Sequence, residues 1–170
     1  MLIRPADADD AEALARLAKE TFTETYRGTM LDSDLEAHTA RHLSREAFDD
    51  LLRHDAFLVA EHEGELVGFA QFGEGHVADG QRDGCDQALR RLYVQSRYHG
   101  EGVGAALMQA TLECESMKAA PRIWLDVWEH NHRARRFYES YGFEVAGKFR
   151  MEFASGPADS FDLVMVRRQR

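Results

Sequence analysis

Two cysteines and three prolines are all that this 170-residue chain contains of either. Cys85 and Cys114 cannot build a disulfide framework, so a reducing, cytoplasmic setting is the default expectation. No apolar run approaches the ~18 residues that a membrane-spanning helix needs, which sets membrane insertion aside. The opening Met1-Leu2-Ile3-Arg4-Pro5 turns acidic at once and lacks the apolar stretch of a secretion signal. Repeats, low-complexity tracts and evident linkers are also missing. What is present is 44% apolar and 30% charged residues, the balance of an ordinary globular chain long enough to bury a core. A single domain over 1–170 is expected.

Excess positive charge is lacking too. The net charge of −9 argues against general nucleic-acid binding, which depends on basic patches. The charge is unevenly spread. Residues 1–86 hold 20 acids and 8 Lys/Arg, a balance of −12; residues 87–170 hold 10 acids and 13 Lys/Arg, a balance of +3. The first half would attract a cation and the second would tolerate a polyanion, although acidic helices are also simply well solvated.

Hydrophobic periodicity supplies the elements. Leu2–Arg4 reads as a short strand. Asp9 is the expected cap of a helix over 10–26, with Glu12 assisting and Leu14, Leu17, Ala18, Thr21 and Phe22 on its apolar face. Two shorter helices, 32–41 and 45–53, follow, the second capped by Ser44. Residues 56–61 and 66–72 form a hairpin around His62-Glu63-Gly64-Glu65. A long loop over 73–86, with Gly73, Gly75, Gly80 and Gly84, is expected to be functional because of its length. Then come a strand (88–94), a helix (103–117), a strand (123–128) and a helix (131–141) closed by Gly142. Two strands, 143–153 and 161–167, joined by a Gly156-Pro157 turn, end the chain. The order predicts an α/β fold: a mixed, mostly antiparallel central sheet of about seven strands with helices on both faces.

The most informative stretch is Leu92-Tyr93-Val94 followed by His99-Gly100-Glu101-Gly102-Val103-Gly104. Alternating glycines between a strand and a helix let the backbone adopt positive φ and approach a ligand closely. The helix start then aims free N–H groups at the same point, an anion site fit for a pyrophosphate. A tight turn that binds nothing would use the same residues. No Lys-Ser/Thr follows, so this is not a Walker loop. Gly100, Gly102 and Ala105 formally match the dinucleotide pattern G-x-G-x-x-A. The unit nevertheless sits mid-chain, five residues separate Val94 from Gly100, and too few elements follow for a doubly wound sheet.

The segment resembles the acetyl-CoA loop of the GNAT superfamily, Q/R-x-x-G-x-G/A. His99 stands where Arg or Gln is usual, and Gly102 and Gly104 fill the glycine positions. Downstream, Asn131, Ala134, Phe137-Tyr138-Glu139 and Tyr141-Gly142-Phe143 resemble the second GNAT hallmark. Leu89–Val94, Val127-Trp128-Glu129-His130-Asn131 and the ending Asp162–Arg167 look like the bacterial branch that includes spermidine/spermine N-acetyltransferases. The resemblance implies an N-acetyltransferase that moves acetyl from acetyl-CoA to the primary amine of a small acceptor, polyamine-like in view of the acidic first half. Rival acceptors are aminoglycosides, amino acids or protein amines, and a non-catalytic acyl-CoA-binding module is the rival outside catalysis. Residues 1–86 would face the acceptor and 87–170 the cofactor. GNAT domains often pair, so a homodimer is compatible.

By the same resemblance, the main chain of Leu92, Tyr93 and Val94 would pair with the pantetheine arm, and His99, Gly100, Glu101, Gly102, Val103 and Gly104 would hold the pyrophosphate. Asn131 would contact the cofactor, although Asn is also an excellent helix cap. Tyr138 would donate a proton to the leaving thiolate, a role suited to a phenol that stays protonated at neutral pH. From spacing alone it would be a core aromatic. Relatives often carry a Glu as base where Ala88 stands here; Glu74, Asp126 or a water chain are the substitutes. The histidine pairs His38/His42 and His130/His132 belong to no His-Glu-x-x-His pattern, so no metal is expected.

Overall fold

The cap of the first helix lies two residues earlier than periodicity suggests. In the computed structural model, which describes residues 1–75, 85–153 and 155–169, the cap is built by Asp7 and Asp10 rather than Asp9 and Glu12. Asp7 Oδ1 accepts from the Asp9 N–H at 2.9 Å, and Asp10 Oδ2 accepts from the Asp7 N–H at 2.9 Å. Residues 8–10 form a short 3-10 turn leading into α1 (Ala11–Tyr26). Arg4 grips the Asp10 carboxylate with both terminal nitrogens, at 2.8 and 2.9 Å, and reaches Glu61 at 3.1 Å. That guanidinium holds the Asp10 carboxyl below its ordinary range.

The remaining elements are β1 (Leu2–Pro5), α2 (Asp32–His42), α3 (Arg45–His54), β2 (Ala56–His62), β3 (Glu65–Glu74), β4 (Gln87–Val94), α4 (Val103–Glu113), α5 (Glu115–Ala119), β5 (Arg122–Trp128), α6 (His132–Ser140), β6 (Glu144–Phe149), β7 (Glu152–Phe153), β8 (Gly156–Pro157) and β9 (Asp162–Arg168). Seven strands form a mixed sheet in the order β1-β2-β3-β4-β5-β9-β6, with β7 and β8 paired separately. The chain falls into two units, 1–72 with 91–113, and 73–90 with 114–170. Each unit draws on both sides of the expected division at 86/87.

In the first unit, Leu14, Leu17, Ala18 and Phe22 of α1 are buried, as their spacing predicts, whereas Thr21 is only half-buried. They share a core with Phe48 of α3, Phe57 and Val59 of β2 and Phe69 of β3. Phe48, Phe57 and Phe69 meet with ring centroids 5.9 to 6.1 Å apart. Ser44 caps α3, accepting from the Ala47 N–H at 3.2 Å. The hairpin between β2 and β3 turns on Glu63 and Gly64, at φ 53° and 82°, the paired positive φ values of a type I′ turn. Strand alternation puts Val59 and its partner Phe69 on one face and Ala60 and its partner Gly68 on the other. On that second face a Cβ at Gly68 would lie 3.1 Å from Leu107 of α4, so helices cover both faces here. Pro5, which has no N–H to offer, sits in the edge strand β1.

In the second unit, β9 inserts between β5 and β6 and runs antiparallel to both. Strands β5 and β6 are therefore parallel, joined across that gap by α6. Strand β4 pairs in parallel with β5 through Gln87↔Ile123 and Ala88↔Trp124. The single helix expected over 103–117 is broken: Cys114 is extended (φ −63°, ψ 142°) and caps α5. Periodicity could not see this break because both pieces keep apolar residues inward, down to the fully buried Met117. Gly156 and Pro157 do not form the turn between the last strands. They are a strand of their own, pairing with Phe153 and Glu152.

Part of the loop expected over 73–86 is strand, since β3 continues through Glu74. Residues 76–84, with Gly80 and Gly84, lie outside the described residues. The flanks are joined, because the Gly75 N–H donates to the Asp86 carbonyl at 2.8 Å. The buried Asp86 carboxylate accepts from Arg122 Nε at 2.9 Å and from the Trp124 indole at 2.7 Å.

Gly68 offers a direct test of the first unit. A Cβ there would lie 2.9 Å from the Tyr93 carbonyl oxygen, closer than a backbone contact allows. Gly68→Ala is expected to lower stability by about 1–3 kcal/mol, the usual range for overpacking, measured by urea denaturation. An unchanged midpoint would show that β3 does not approach β4 so closely.

Candidate active site

Strand β4 ends in Leu92-Tyr93-Val94, and two anchors fix that end. The Tyr93 ring packs edge-on against Phe69, centroids 5.4 Å apart, and the Gln95 N–H donates to the Val67 carbonyl at 3.0 Å. A 3-10 turn, Ser96–Tyr98, follows. His99 Nε2 lies 2.8 Å from the Val94 carbonyl oxygen; a carbonyl only accepts, so Nε2 carries the hydrogen. The imidazole thus ties the start of the glycine loop back to the strand, a local job for the residue that stands where Arg or Gln was expected.

Two of the three glycines adopt the left-handed conformation, Gly100 at φ 88° and Gly102 at φ 84°. Gly104 lies within the first turn of α4 and has no such requirement. The first helical bond runs from the Ala106 N–H to the Gly102 carbonyl at 2.9 Å. Val103, Gly104 and Ala105 therefore carry the first-turn amides, which a helix leaves without an intrahelical acceptor. Gly100, Glu101 and Gly102 are exposed and Val103 is buried. The loop can present main-chain donors and the positive end of a helix dipole to an anion.

In the second unit, Asn131 Oδ1 accepts from the Ala134 N–H at 3.1 Å, so its side chain caps α6. Tyr138 is buried on that helix, edge-on to Phe137 and Phe143 with centroids 5.6 and 6.0 Å away. Its main-chain carbonyl accepts from Tyr141 and Phe143, and Gly142 at φ 83° closes the helix, as expected. Glu74 and Asp126 are both exposed. The His38 and His42 rings are tilted by 46° with centroids 4.8 Å apart, and His38 stacks on Phe22 at 4.5 Å. Among the described residues no group of three His, Cys, Asp or Glu converges to hold a metal, and no helix is long and apolar enough to cross a membrane.

The acetyltransferase (GNAT) family model matches residues 11–143, from the start of α1 to the Gly142-Phe143 pair. The chain belongs to the GNAT acetyltransferase family.

An uncharacterized N-acetyltransferase of Mycobacterium tuberculosis is 34% identical over 160 residues, spanning 93% of this chain and 97% of that protein. A spermine/spermidine N(1)-acetyltransferase of Bacillus subtilis is 32% identical over 88 residues, 51% of this chain and 58% of its own length. Among solved structures, the PaiA N-acetyltransferase of Thermoplasma acidophilum, crystallised with coenzyme A, shares the fold at TM-score 0.79 and 22% identity, over 99% of this chain and 98% of that one.

One group in this GNAT chain escaped sequence reasoning. Asp162, read only as part of the closing strand, sits opposite Trp128 and Phe149 at the start of β9. Burial first, then the nearby Asp126 and Glu129, push its carboxyl from the ordinary 3.8 up to about 6. Glu129 is held in place by the Phe161 N–H, which donates to Oε1 at 2.7 Å. Only the pairing of β9 with β5 brings these carboxylates together, and nothing in the linear sequence signals that register.

This raised value has a sign that can be measured. Between about pH 4 and 6 the folded state keeps a proton on Asp162 that the unfolded chain has lost, so the group's contribution to stability falls as pH rises and stays unfavourable above 6. Asp162→Asn, of equal size and uncharged, is expected to raise the melting temperature at pH 7.5, with the gain vanishing near pH 4. An equal or lower melting temperature at pH 7.5 would contradict the burial and crowding of this carboxylate.

Proposed function

We propose that the chain transfers an acetyl group from acetyl-CoA to the primary amine of a small acceptor by direct attack. The observation that carries this reading is the turn at Gly100 and Gly102, both left-handed, leading into the first-turn amides of α4. His99, Gly100, Glu101, Gly102, Val103 and Gly104 would hold the pyrophosphate, chiefly through main-chain N–H groups. Leu92, Tyr93 and Val94 would carry the pantetheine arm in the manner of an added strand. In support, the ladder between β4 and β5 runs over Gln87 and Ala88, upstream of these three residues. The relative crystallised with coenzyme A supports the cofactor assignment. Asn131 would add a cofactor contact through whatever its capping bond leaves available.

In the reaction the amine nitrogen attacks the thioester carbonyl carbon and the C–S bond breaks. The departing thiolate takes the phenolic proton of Tyr138, and the nitrogen's surplus proton leaves through a carboxylate, Glu74 or Asp126, or through water. A main-chain N–H of Tyr93 or Val94 would polarise the carbonyl as it becomes an oxyanion. The acceptor is a small amine that approaches as a cationic ammonium group, polyamine-like in that respect. The −12 balance of residues 1–86 and the half-chain similarity to the spermine/spermidine enzyme support that choice. A single cytoplasmic N-acetyltransferase domain that can pair as a homodimer completes the reading.

Tyr138→Phe separates chemistry from packing, because Phe keeps the ring against Phe137 and Phe143. Removing a general acid typically costs 10²–10⁴ in rate, so kcat is expected to fall by about a hundredfold while the dissociation constant for acetyl-CoA changes less than about twofold. Stopped assays for free thiol and calorimetry with acetyl-CoA measure the two quantities. Full activity in the variant would make Tyr138 a core aromatic and nothing more.

A further inference from the structure

Among the described residues Arg91 of β4, in the first unit, makes no ion pair. Its Nη1 donates to Gln71 Oε1, and its guanidinium carbon sits 5.8 Å over the Phe48 ring. Gln71 is fully buried, and its amide nitrogen donates to Asp55 Oδ2 at 2.5 Å. That bond turns the amide oxygen toward Arg91, so Asp55 orients Gln71 while the partner Arg91 receives is neutral. Among the described residues no carboxylate lies within 4 Å of this guanidinium. The titratable groups that feel its charge are His38 and His42 of α2. His38 is held to about 4 by burial first, then by His42 and Arg91, and is therefore neutral at physiological pH.

A half-buried guanidinium carries five donors in a planar fork. Among the described residues one of them is used, by an amide. Leaving such a charge without a counter-ion is costly, and the fork matches the two oxygens of a carboxylate. A cationic group brought to this place would instead meet a like charge.

We infer that Arg91, set by Gln71 and packed over Phe48, receives a carboxylate of the acceptor, so that the acceptor is an amine that also carries an acid group. This rests on the acetyltransferase reading above and, among its cationic amines, selects an amino acid or aminocarboxylate over a simple polyamine. The acidic surroundings of residues 1–86 would still draw in the ammonium end.

Three acceptors of one chain length isolate the distal group: aminohexanoate, diaminohexane and hexylamine. The wild type should acetylate aminohexanoate with kcat/KM at least tenfold above the other two. In Arg91→Gln that advantage should disappear through KM for aminohexanoate, with hexylamine unchanged. Arg91→Lys, which keeps the charge but not the fork, should keep part of it and covers the case that the Gln variant does not fold. Calorimetric binding of the same three amines to the wild type with coenzyme A gives the comparison without turnover. Preference for diaminohexane, or equal treatment of all three, overturns the proposal. Failure of acetyl-CoA itself to bind would instead remove the acetyltransferase reading, while a carboxylate preference in the calorimetry would leave Arg91 standing as an anion site.

Discussion

The geometry of residues 99–104 depends on backbone conformations that side chains resist. Gly100 and Gly102 both lie near φ 85°, where a residue with a Cβ would lose about 1–2 kcal/mol. That freedom lets the chain leave β4, double back and enter α4 within a few residues. The helix therefore starts close to the end of the strand that precedes it. Without the turn, neither the first-turn amides of α4 nor the end of β4 would be fixed in relation to each other. His99 secures it by bonding the Val94 carbonyl.

Buried polar groups organise each unit. Asp10 locks the start of α1 to Arg4 of β1. Gln71 links Asp55, just past α3, to Arg91 on β4. In the second unit Asp86 holds Arg122 and Trp124 of β5. Each is hydrogen-bonded, as most buried polar groups are, and each connects elements distant in sequence. Such groups specify register where apolar packing alone tolerates slippage.

Local patterns in the sequence carried far. The helical spacing of Leu14, Leu17 and Phe22, the Ser44 cap, the Gly142 stop and the glycine-rich turn all act within a few residues, so periodicity and turn chemistry reveal them. The seven-strand sheet followed from counting elements in order. What the sequence concealed depends on long-range pairing. The crowding of Asp162 arises only because β9 inserts beside β5, and the bond of Arg91 to an amide only because Gln71 comes between it and Asp55. Asn131 illustrates a different limit, since a helix cap and a cofactor ligand demand the same residue type. Its bond to Ala134 establishes the cap.

The central claim is that the turn at Gly100 and Gly102 binds coenzyme A. A ligand that binds only the folded state raises the melting temperature, by about 2.7 kcal/mol of added stability at a hundredfold excess over Kd. Thermal denaturation with acetyl-CoA, coenzyme A and NAD(H) in parallel therefore tests it most directly. The account predicts a rise of several degrees with both coenzyme A forms and none with NAD(H); a rise with NAD(H) alone would contradict it.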